Sequence, residues 1–582
     1  MHPLTNISIV LMDIRTKDKG DRFGAAVTIP GRNTETHTLR EWDEIVKAGD
    51  SIYDGLDLAI SEALEKHLGK APAQMKGADA ATRLVELVLR DDTVLFADDR
   101  GEPYARVRSD DHFDILPIDK SFSKWLGRMF YQAEGKAPGQ DALKSAINIL
   151  QGRAIYDGES HKLHIRVADH ESAYWYYLSD DRRRAVRISR DGWEVVDEPP
   201  ILFRHYTHMR PQDEPERQER PGALDKLLDL FNFRENDRRM FKIMLITDLV
   251  PGIAHCGLSL SGQQGCGKTL VLKMEKQLID PSSIEILSFP KKDEEFLRLL
   301  DRHYIVPFDN ITRVSWERSD MLCRSISGES SATRKLYTDD EDYIRAIKRI
   351  IRMNGLNNNI RASDLLSRMI LMELTPIGEM RGEKALWEDF YRLRPDALGE
   401  LFDLLSKTMD IYENITSSKA PRMADWYEWA EAAAVALGMQ QHEFTELFAE
   451  YEEKQDSEAL EQSSLAPILE GFARDGEKAY VGTAADLLKI LTLRADEQGI
   501  SIRDRRQWPS NHVELGKRIT PLVPNLASRG VIVTRGLKYR DLGKVRPDLL
   551  TKSLEGRGYG PRDRMIIIEF EASEQDGRQA GN

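Results

Sequence analysis

Apolar and polar positions change their period several times along the chain, and each change marks a candidate boundary. Ile7–Asp13 and Phe23–Ile29 are β-branched, apolar runs separated by the charged stretch Arg15–Arg22. They predict a pair of strands. Asp54–Leu68 places Leu56, Ile60, Leu64 and Leu68 at helical spacing, and Thr82–Leu89 predicts another short helix. From about residue 91 to 208 the runs shorten. Leu163–Val167, Ala173–Leu178, Ala185–Ile188 and Trp193–Val196 alternate with Asp, Gly and Arg clusters, which is a β-meander pattern, and Gln140–Leu150 is one helical stretch within it. Pro211–Gly222 carries three prolines and dense charge and predicts a linker or exposed connection. Leu224–Val250 is helical in pattern. Farther on, Pro421–Gln462 is strongly helical, with Trp426, Tyr427, Trp429, Leu437, Phe444, Leu447 and Phe448 as its apolar positions. Ala484–Ala495 and Val513–Ala527 predict helices, and Gly530–Thr534 and Met565–Phe570 predict strands. Helix, helix and two-stranded hairpin is the outline of a winged helix.

The strongest chemical signal lies between these regions. Gly262-Gln-Gln-Gly265-Cys266-Gly267-Lys268-Thr269 fits the spacing of a phosphate-binding loop. Glycines allow a tight turn that points successive N–H groups at phosphate oxygens. Lys268 adds a point charge for the β- and γ-phosphates, and Thr269 a hydroxyl for Mg2+. The apolar lead-in Gly257–Leu260 predicts the strand before the loop. Thr269–Leu278 predicts the helix after it, with its N-terminus toward the anion. Nucleotide-binding residues are therefore expected at Gly262, Gly265, Cys266, Gly267, Lys268, Thr269 and Leu270, with ATP and Mg2+ as cofactors and Thr269 and Asp309 as metal ligands.

Asp309 ends the apolar run Tyr304–Phe308 and suits the acid that completes a magnesium shell. Asn310 follows it where many such enzymes have a Glu, and an Asn can orient a water but cannot act as a general base. Asp309 doing double duty, the approach of Glu329, and slow hydrolysis all remain open. Asn354 ends the next strand, Arg349–Asn354, as a sensor of the γ-phosphate, although Asn354-Gly355 is also a turn pair. Arg368 suits a finger acting on a neighbouring subunit's nucleotide, with Arg361 as its substitute. An ion pair with Asp364, four residues earlier, is the other reading. Between Asp309 and Asn354, Arg334, Lys335 and Tyr337 interleave charge and an aromatic ring. Such an element can hold a sugar–phosphate strand and stack a base, and it can equally be a solvated surface hairpin.

This series resembles the superfamily 3 helicase-like AAA+ ATPases of phages, plasmids and genomic islands, including primase–helicases. Gly192-Trp193 and Pro199-Pro200-Ile-Leu-Phe-Arg204 also look like the lead-in segment of the phage and island ATPases. The resemblance spans roughly residues 187–404. It implies a ring, usually a homohexamer, with ATP between subunits. Lys268, Thr269 and Asp309 would act in cis, Asn354 as sensor and Arg368 in trans, while Arg334–Tyr337 would lead into a hairpin gripping single-stranded DNA in the pore. The expected fold is multidomain α/β: a P-loop AAA+ core with an N-terminal α+β region and a C-terminal winged helix. The expected divisions are an α+β region (1–90), a β-rich accessory domain (91–210), the ATPase core (211–405), an acidic helical region (406–465), the winged helix (466–572) and a disordered tail (573–582).

Charge sharpens the picture. The chain has 582 residues with 83 Lys and Arg against 97 Asp and Glu, a net charge of -14. That excludes a uniformly basic surface. Residues 501–562 nevertheless hold 14 Lys and Arg against five acids, while 421–462 hold 11 acids against two bases. The basic segment predicts duplex DNA contacts at Lys517, Arg518, Arg529, Arg535, Lys538 and Arg540; packing on the acidic helices is the alternative. Arg182-Arg183-Arg184 beside Asp180 and Asp181 reads as a solvated hairpin turn more readily than as a nucleic-acid contact. Asp13, expected at a strand end, reads as a turn residue rather than a metal ligand. Cys256, Cys266 and Cys323 are too few and too scattered for a disulfide scaffold or a zinc site. No apolar run approaches membrane-spanning length, and a cytoplasmic location is expected. With this charge division, the resemblance implies an ATP-driven DNA helicase or translocase serving replication of a mobile element, with a replication or primase partner. A non-unwinding ATPase (loader, remodelling or defence enzyme) is one alternative. An N-terminal polymerising activity is another, although no convincing carboxylate pair for two metals is present.

Overall fold

The computed structural model describes residues 79–571 apart from short stretches at 91, 110–111, 218–220, 329–330, 335–341, 346, 358–359, 361, 377–380, 418–420, 462, 476–478, 501, 503–507, 552–553 and 555. Before residue 79 it describes only the backbone of three strands, and at 331–334 and 342–345 likewise only the backbone. The chain is a multidomain α/β protein that divides into two compact units, residues 1–90 with 123–149, and residues 91–122 with 150–582.

In the first unit, β1 (Ser8–Arg15), β2 (Asp21–Thr28) and β3 (Glu35–Glu41) form an antiparallel sheet. Asp13 pairs with Phe23 inside β1, so it does not end the strand as expected. The predicted helix at Asp54–Leu68 lies outside the described residues. Helix α1 (Ala80–Arg90) buries Ala81, Leu84, Val85 and Val88. Helices α2 (Lys120–Glu134) and α3 (Gln140–Tyr156) each run across the division between units. The pattern above passed over α2, although Phe122, Leu126 and Phe130 recur every fourth residue and are all buried.

The second unit opens with β4 (Val94–Asp98), β5 (Pro103–Ser109), β6 (His112–Pro117) and the two-residue β7 (Ser160–His161), in the order β6-β5-β4-β7. A second sheet is the meander β8 (Val167–His170), β9 (Ala173–Tyr177), β10 (Ala185–Ser189) and β11 (Gly192–Val196). The first predicted strand of this meander, Leu163–Val167, is absent. Arg166 has φ +64°, which interrupts an extended run, and its buried guanidinium donates to the Tyr177 carbonyl at 2.8 Å. The arginines of the neighbouring turn are all matched. Arg182 pairs with Asp197, Arg183 with Asp114, and Arg184 with both Asp180 and Glu214.

The proline-rich segment after the meander is, over its described residues 211–217, a largely exposed connection that docks on the fold at a few points. Gln212 is buried and donates to the Tyr176 hydroxyl and the Leu278 carbonyl. Arg217 lies 4.2 Å over the Trp193 ring, whose Nε1–H donates to Asp403. The Glu216 N–H donates to the carbonyl of Pro395 within the 30-residue helix α10 (Glu383–Tyr412). A Cβ on Gly399 would overlap the Glu216 carbonyl oxygen, so glycine there lets the connection lie against the helix. The predicted helix Leu224–Val250 is broken into α4 (Ala223–Leu228) and α5 (Glu235–Thr247).

The centre of this unit is a parallel sheet in the order β13-β16-β12-β17, built from β12 (Gly257–Ser261), β13 (Ile305–Phe308), β16 (Ile350–Asn354) and β17 (Met369–Glu373). Helices α6 (Lys268–Ile279), α7 (Asp293–Arg302), α8 (Trp316–Ser327) and the short α9 (Ser363–Leu366) supply the crossovers. An antiparallel hairpin, β14 (Ser331–Arg334) and β15 (Asp342–Arg345), is inserted between α8 and β16. Helices α11 (Ala424–Ala436) and α12 (Gln441–Glu461) complete the packing. One hydrophobic core runs from Ile165 to Ala459.

A separate core gathers Leu460 to Ile568. Its elements are α13 (Ala466–Asp475), β18 (Tyr480–Thr483), α14 (Ala484–Glu497), α15 (His512–Ile519), α16 (Val523–Ser528), β19 (Val531–Lys538), α17 (Tyr539–Val545) and β20 (Arg564–Phe570), with sheet order β18-β20-β19. The single predicted helix Val513–Ala527 is interrupted at Thr520–Leu522, where Pro521 cannot continue the α-helical ladder. The β19–β20 connection carries α17 and its own small core around Leu542 and Leu554.

Candidate nucleotide site

Register brings the site together. Leu260 pairs with Asn354, and Phe308 pairs with Met353. The ends of β12, β13 and β16 therefore share one edge, the carboxyl edge at which open α/β sheets bind ligands. Beyond β12 the chain turns through Gly262 (φ +136°), Gly265 (φ +84°) and Gly267 (φ +88°), and Gly267 caps α6. These angles favour glycine. At Gly262 a Cβ would also sit 2.8 Å from the Leu374 carbonyl oxygen and 3.0 Å from Cys266 Sγ. Lys268 begins α6 with its ammonium folded over the loop, donating to the carbonyls of Gly262 and Gln263 at 2.8 Å each. Leu270 is half-buried in the first turn.

Three side chains converge on the mouth of this loop. Thr269 Oγ1 donates to Asp309 Oδ1 at 2.9 Å. Asn354 Nδ2 donates to the same oxygen at 2.8 Å, and Asn354 Oδ1 accepts from the Asn310 backbone N–H at 2.8 Å. Asn310 has φ +53° and an exposed side chain. An Asn adopts this left-handed turn more readily than most residues, and the turn is what presents its N–H to Asn354. Thr269 and Asp309 together fit two ligands of a hard cation. No group of three or more His, Cys, Asp or Glu side chains among the described residues could hold a metal ion alone. Phosphate and water oxygens would have to complete such a shell.

The other expected residues lie elsewhere. Arg368 stands at the opposite edge of the sheet, with its carbonyl accepting from the Gly257 N–H. That is roughly 15 Å along the strands from the loop. Its buried guanidinium donates to Asp364 and to Ser327 Oγ. Arg334 belongs to β14 of the hairpin; its side chain, Lys335, Tyr337, Glu329 and Arg361 lie outside the described residues. Lys517 and Lys538 are exposed. Arg518 pairs with Glu514, Arg535 donates to the Gly516 carbonyl, Arg529 approaches Glu470, and Arg540 approaches Asp541.

Two buried charge clusters behind the site escaped the sequence reading. Arg352, on β16 two residues before Asn354, is fully buried. It donates to Glu275 on α6 and to Asp248 after α5, both at 2.5 Å. Burial pushes Glu275 up to about 7 and raises Asp248, while the Arg352 charge opposes both shifts. At the far end of α6, Asp280 accepts from Lys276 at 2.6 Å and Arg166 at 3.1 Å. Burial there works against the charged form, but the two cations outweigh it and hold the Asp280 carboxyl below its usual range. A charged residue inside an otherwise two-sided apolar strand is the sequence signal that marks Arg352.

Comparison with known proteins adds a family. Residues 224–447 match the actinomycete integrative conjugative element replication protein family, and residues 465–553 match the AICE RepA C-terminal domain. Each match covers less than half of the chain, so the likeness is to parts of such a replication protein. No curated protein matches the chain. Solved structures with some likeness include the A-form apo structure of the NrS-1 C-terminal region, at 11% identity and a TM-score of 0.37, over 84% of this chain and 99% of that one. Another is "SCCmec type IV Cch - active helicase", at 11% identity and a TM-score of 0.42, over 82% of this chain and 92% of that one. Both are distant likenesses. Among the described residues, no helix is long and apolar enough to cross a membrane.

Proposed function

We propose that this chain is a replication protein of a conjugative element, an ATP-dependent DNA translocase or helicase of superfamily 3 type working as a ring, most simply a hexamer. The observation that carries this reading is the convergence of Thr269 and Asn354 on one carboxylate oxygen of Asp309 at the mouth of a glycine loop. Bound Mg·ATP would supply the transferable phosphoryl group. Backbone N–H groups of Gly262–Leu270 would cradle its phosphates, and Lys268 would leave the loop carbonyls for a stronger, charge-assisted partner. Thr269 and Asp309 would hold the metal. Asn354, tied to both Asp309 and Asn310, would report on whether the third phosphate is present. Arg368 cannot reach the loop of its own chain, so a role in hydrolysis would have to be in trans. The hairpin at Arg334, Lys335 and Tyr337 would grip single-stranded DNA. The C-terminal region, read as a winged helix, would touch duplex through Lys517, Lys538 and their basic neighbours.

Lys268→Ala should abolish ATPase and forked-DNA unwinding together. Mixing Lys268→Ala with Arg368→Ala subunits should partly restore ATPase, because some interfaces then pair an intact loop with an intact arginine. Loss of ATPase with unwinding retained would refute the proposal, and no restoration at any ratio would remove the trans arginine. Asn310 favours one second reading, a non-unwinding ATPase with slow turnover. In that case the parent would hydrolyse ATP yet leave forked DNA intact.

A further inference from the structure

A cavity of about 320 Å³ opens at the amino edge of the parallel sheet, the edge away from the glycine loop. Tyr304 and Arg349, at the starts of β13 and β16, line it from the sheet, and Lys162–Ile165 lines it from the segment before the meander. Gly328 and Ile347, on either side of the β14–β15 hairpin, line it as well, so the cavity adjoins the base of that hairpin. Its volume is at the low end for a small-ligand site, enough for about one nucleotide and far too small for a duplex.

The lining is cationic. Arg100, Lys162, Arg204, Lys348 and Arg349 face two carboxylates, Asp99 and Asp169. Arg204 is committed to Asp98, and Arg100 to Asp301 at 2.7 Å. Lys162 and Lys348 form no ion pair with an acid among the described residues, and Arg349 feels the Asp301 charge. Lys348 Nζ donates to the Gly252 carbonyl at 2.6 Å. Arg349 donates to the carbonyls of Leu300 and Lys348. Lys162 is exposed. Gly328 (φ +77°) has no side chain, and the Lys348 stem occupies the space a Cβ would need. The lysine is thereby laid across the foot of the hairpin. Burial depresses the Arg349 guanidinium to about 10, with the Asp301 charge offsetting part of the shift. A partly desolvated cation that bonds only carbonyls is stabilised further by an anion.

We infer that this cavity is a phosphate-binding station for a single nucleic-acid strand passing the hairpin base, with Lys162, Lys348 and Arg349 as its phosphate contacts. The inference rests on the reading of the chain as a DNA translocase. It adds a contact supplied jointly by the ATPase sheet and the segment Lys162–Ile165, outside the hairpin itself. A free mononucleotide offers the same phosphate chemistry and is the competing source.

The test uses the full chain carrying Lys162→Glu with Lys348→Glu, and separately Lys335→Glu in the hairpin. Binding of fluorescent oligo-dT is followed by anisotropy from about 50 to about 200 mM salt. The double variant should bind at least about tenfold more weakly at low salt. Its slope of log affinity against log salt should flatten by about 1.4, two phosphate contacts at ~0.7 each. ATPase without DNA and the melting temperature should be unchanged. If the double variant melts early, Lys162→Gln with Lys348→Gln should still flatten the slope. Unchanged affinity and slope in the folded double variant, with weakened binding by Lys335→Glu, would overturn the cavity assignment and leave the translocase reading standing. Failure of the parent to bind oligo-dT with or without ATP would instead sink the translocase reading itself. Binding of dTMP in a Lys268→Ala background that is lost with Lys162 and Lys348, while oligo-dT binding is not, would assign the cavity to free nucleotide and overturn the strand.

Discussion

Replacing Arg352 with Met should be the most damaging single change that touches no ligand. The side chain is fully buried and is the shared ion-pair partner of two buried carboxyls, Glu275 and Asp248. Met keeps most of the volume and removes the charge. Left without a counter-charge, the carboxyls must be protonated to stay inside. Glu275 is already raised to about 7 and Asp248 is raised as well, so full protonation of Asp248 bounds the new cost from above. Protonating an Asp with an unfolded pKa of ~3.9 at pH 7 costs about 4 kcal/mol, at 1.36 kcal/mol per unit, and at pH 5 about 1.5 kcal/mol. The first figure agrees with the ~3–5 kcal/mol typical of breaking a buried pair. The sign follows from linkage. A carboxyl with a raised folded pKa destabilises only above its unfolded pKa, and its penalty grows with pH until the folded pKa is passed. The assay is hydrogen exchange of β12 and β16 amides, which reads opening of this core separately from the rest of a multidomain chain. Adding Asp248→Asn and Glu275→Gln should recover more than half of the loss at pH 7. A loss equal at pH 5 and pH 7, or below about 1 kcal/mol at both, would refute the reasoning.

Two further outcomes are expected. Gly399→Ala places a methyl against the Glu216 carbonyl, so it should destabilise by about 1–3 kcal/mol despite better helix propensity. Faster limited proteolysis within residues 211–222 would report the released connection, and an unchanged melting temperature would argue against it. His255 is buried, donates to the Thr247 and Val250 carbonyls, and is lowered to about 4 by burial first and the Arg352 charge second. Below pH ~6.5 the unfolded chain takes up a proton that the folded imidazole refuses until about pH 4, so stability falls on acidification through that window. His255→Gln should make that fall shallower by about 1.4 kcal/mol per pH unit, measured as unfolding midpoints in urea, and an identical slope would remove the assignment.

The loop Gly262–Thr269 was legible because its chemistry is contiguous. Glycine spacing and a following helix are local properties, and the positive φ values appear at three of its glycines. Asp309 and Asn354 were legible because each ends an apolar run. Their mutual contact was not, since it depends on β16 lying between β12 and β13. Arg166 and Arg352 are charges in or near strands whose partners no local pattern marks. Their partners are Asp280, Glu275 and Asp248, 77 to 114 residues away. Prolines and charge mark Pro211–Arg217 as an exposed connection, and only Gly399 and Pro395 on a distant helix make it a docked one.

By itself, then, the sequence determined what nearest neighbours dictate: the glycine loop, the amphipathic helices, the strands that end in polar residues, and the division of charge between an acidic helical stretch and a basic C-terminal one. Tertiary structure decided which charges are matched and which remain available. It set Arg368 about 15 Å from the loop of its own chain, spent Arg182, Arg183 and Arg184 on nearby acids, and left Lys162, Lys348 and Arg349 around a cavity that no linear motif marks. The physical reason is that backbone preference acts over a few residues. The worth of a charge instead depends on burial and on partners that the fold alone brings within reach.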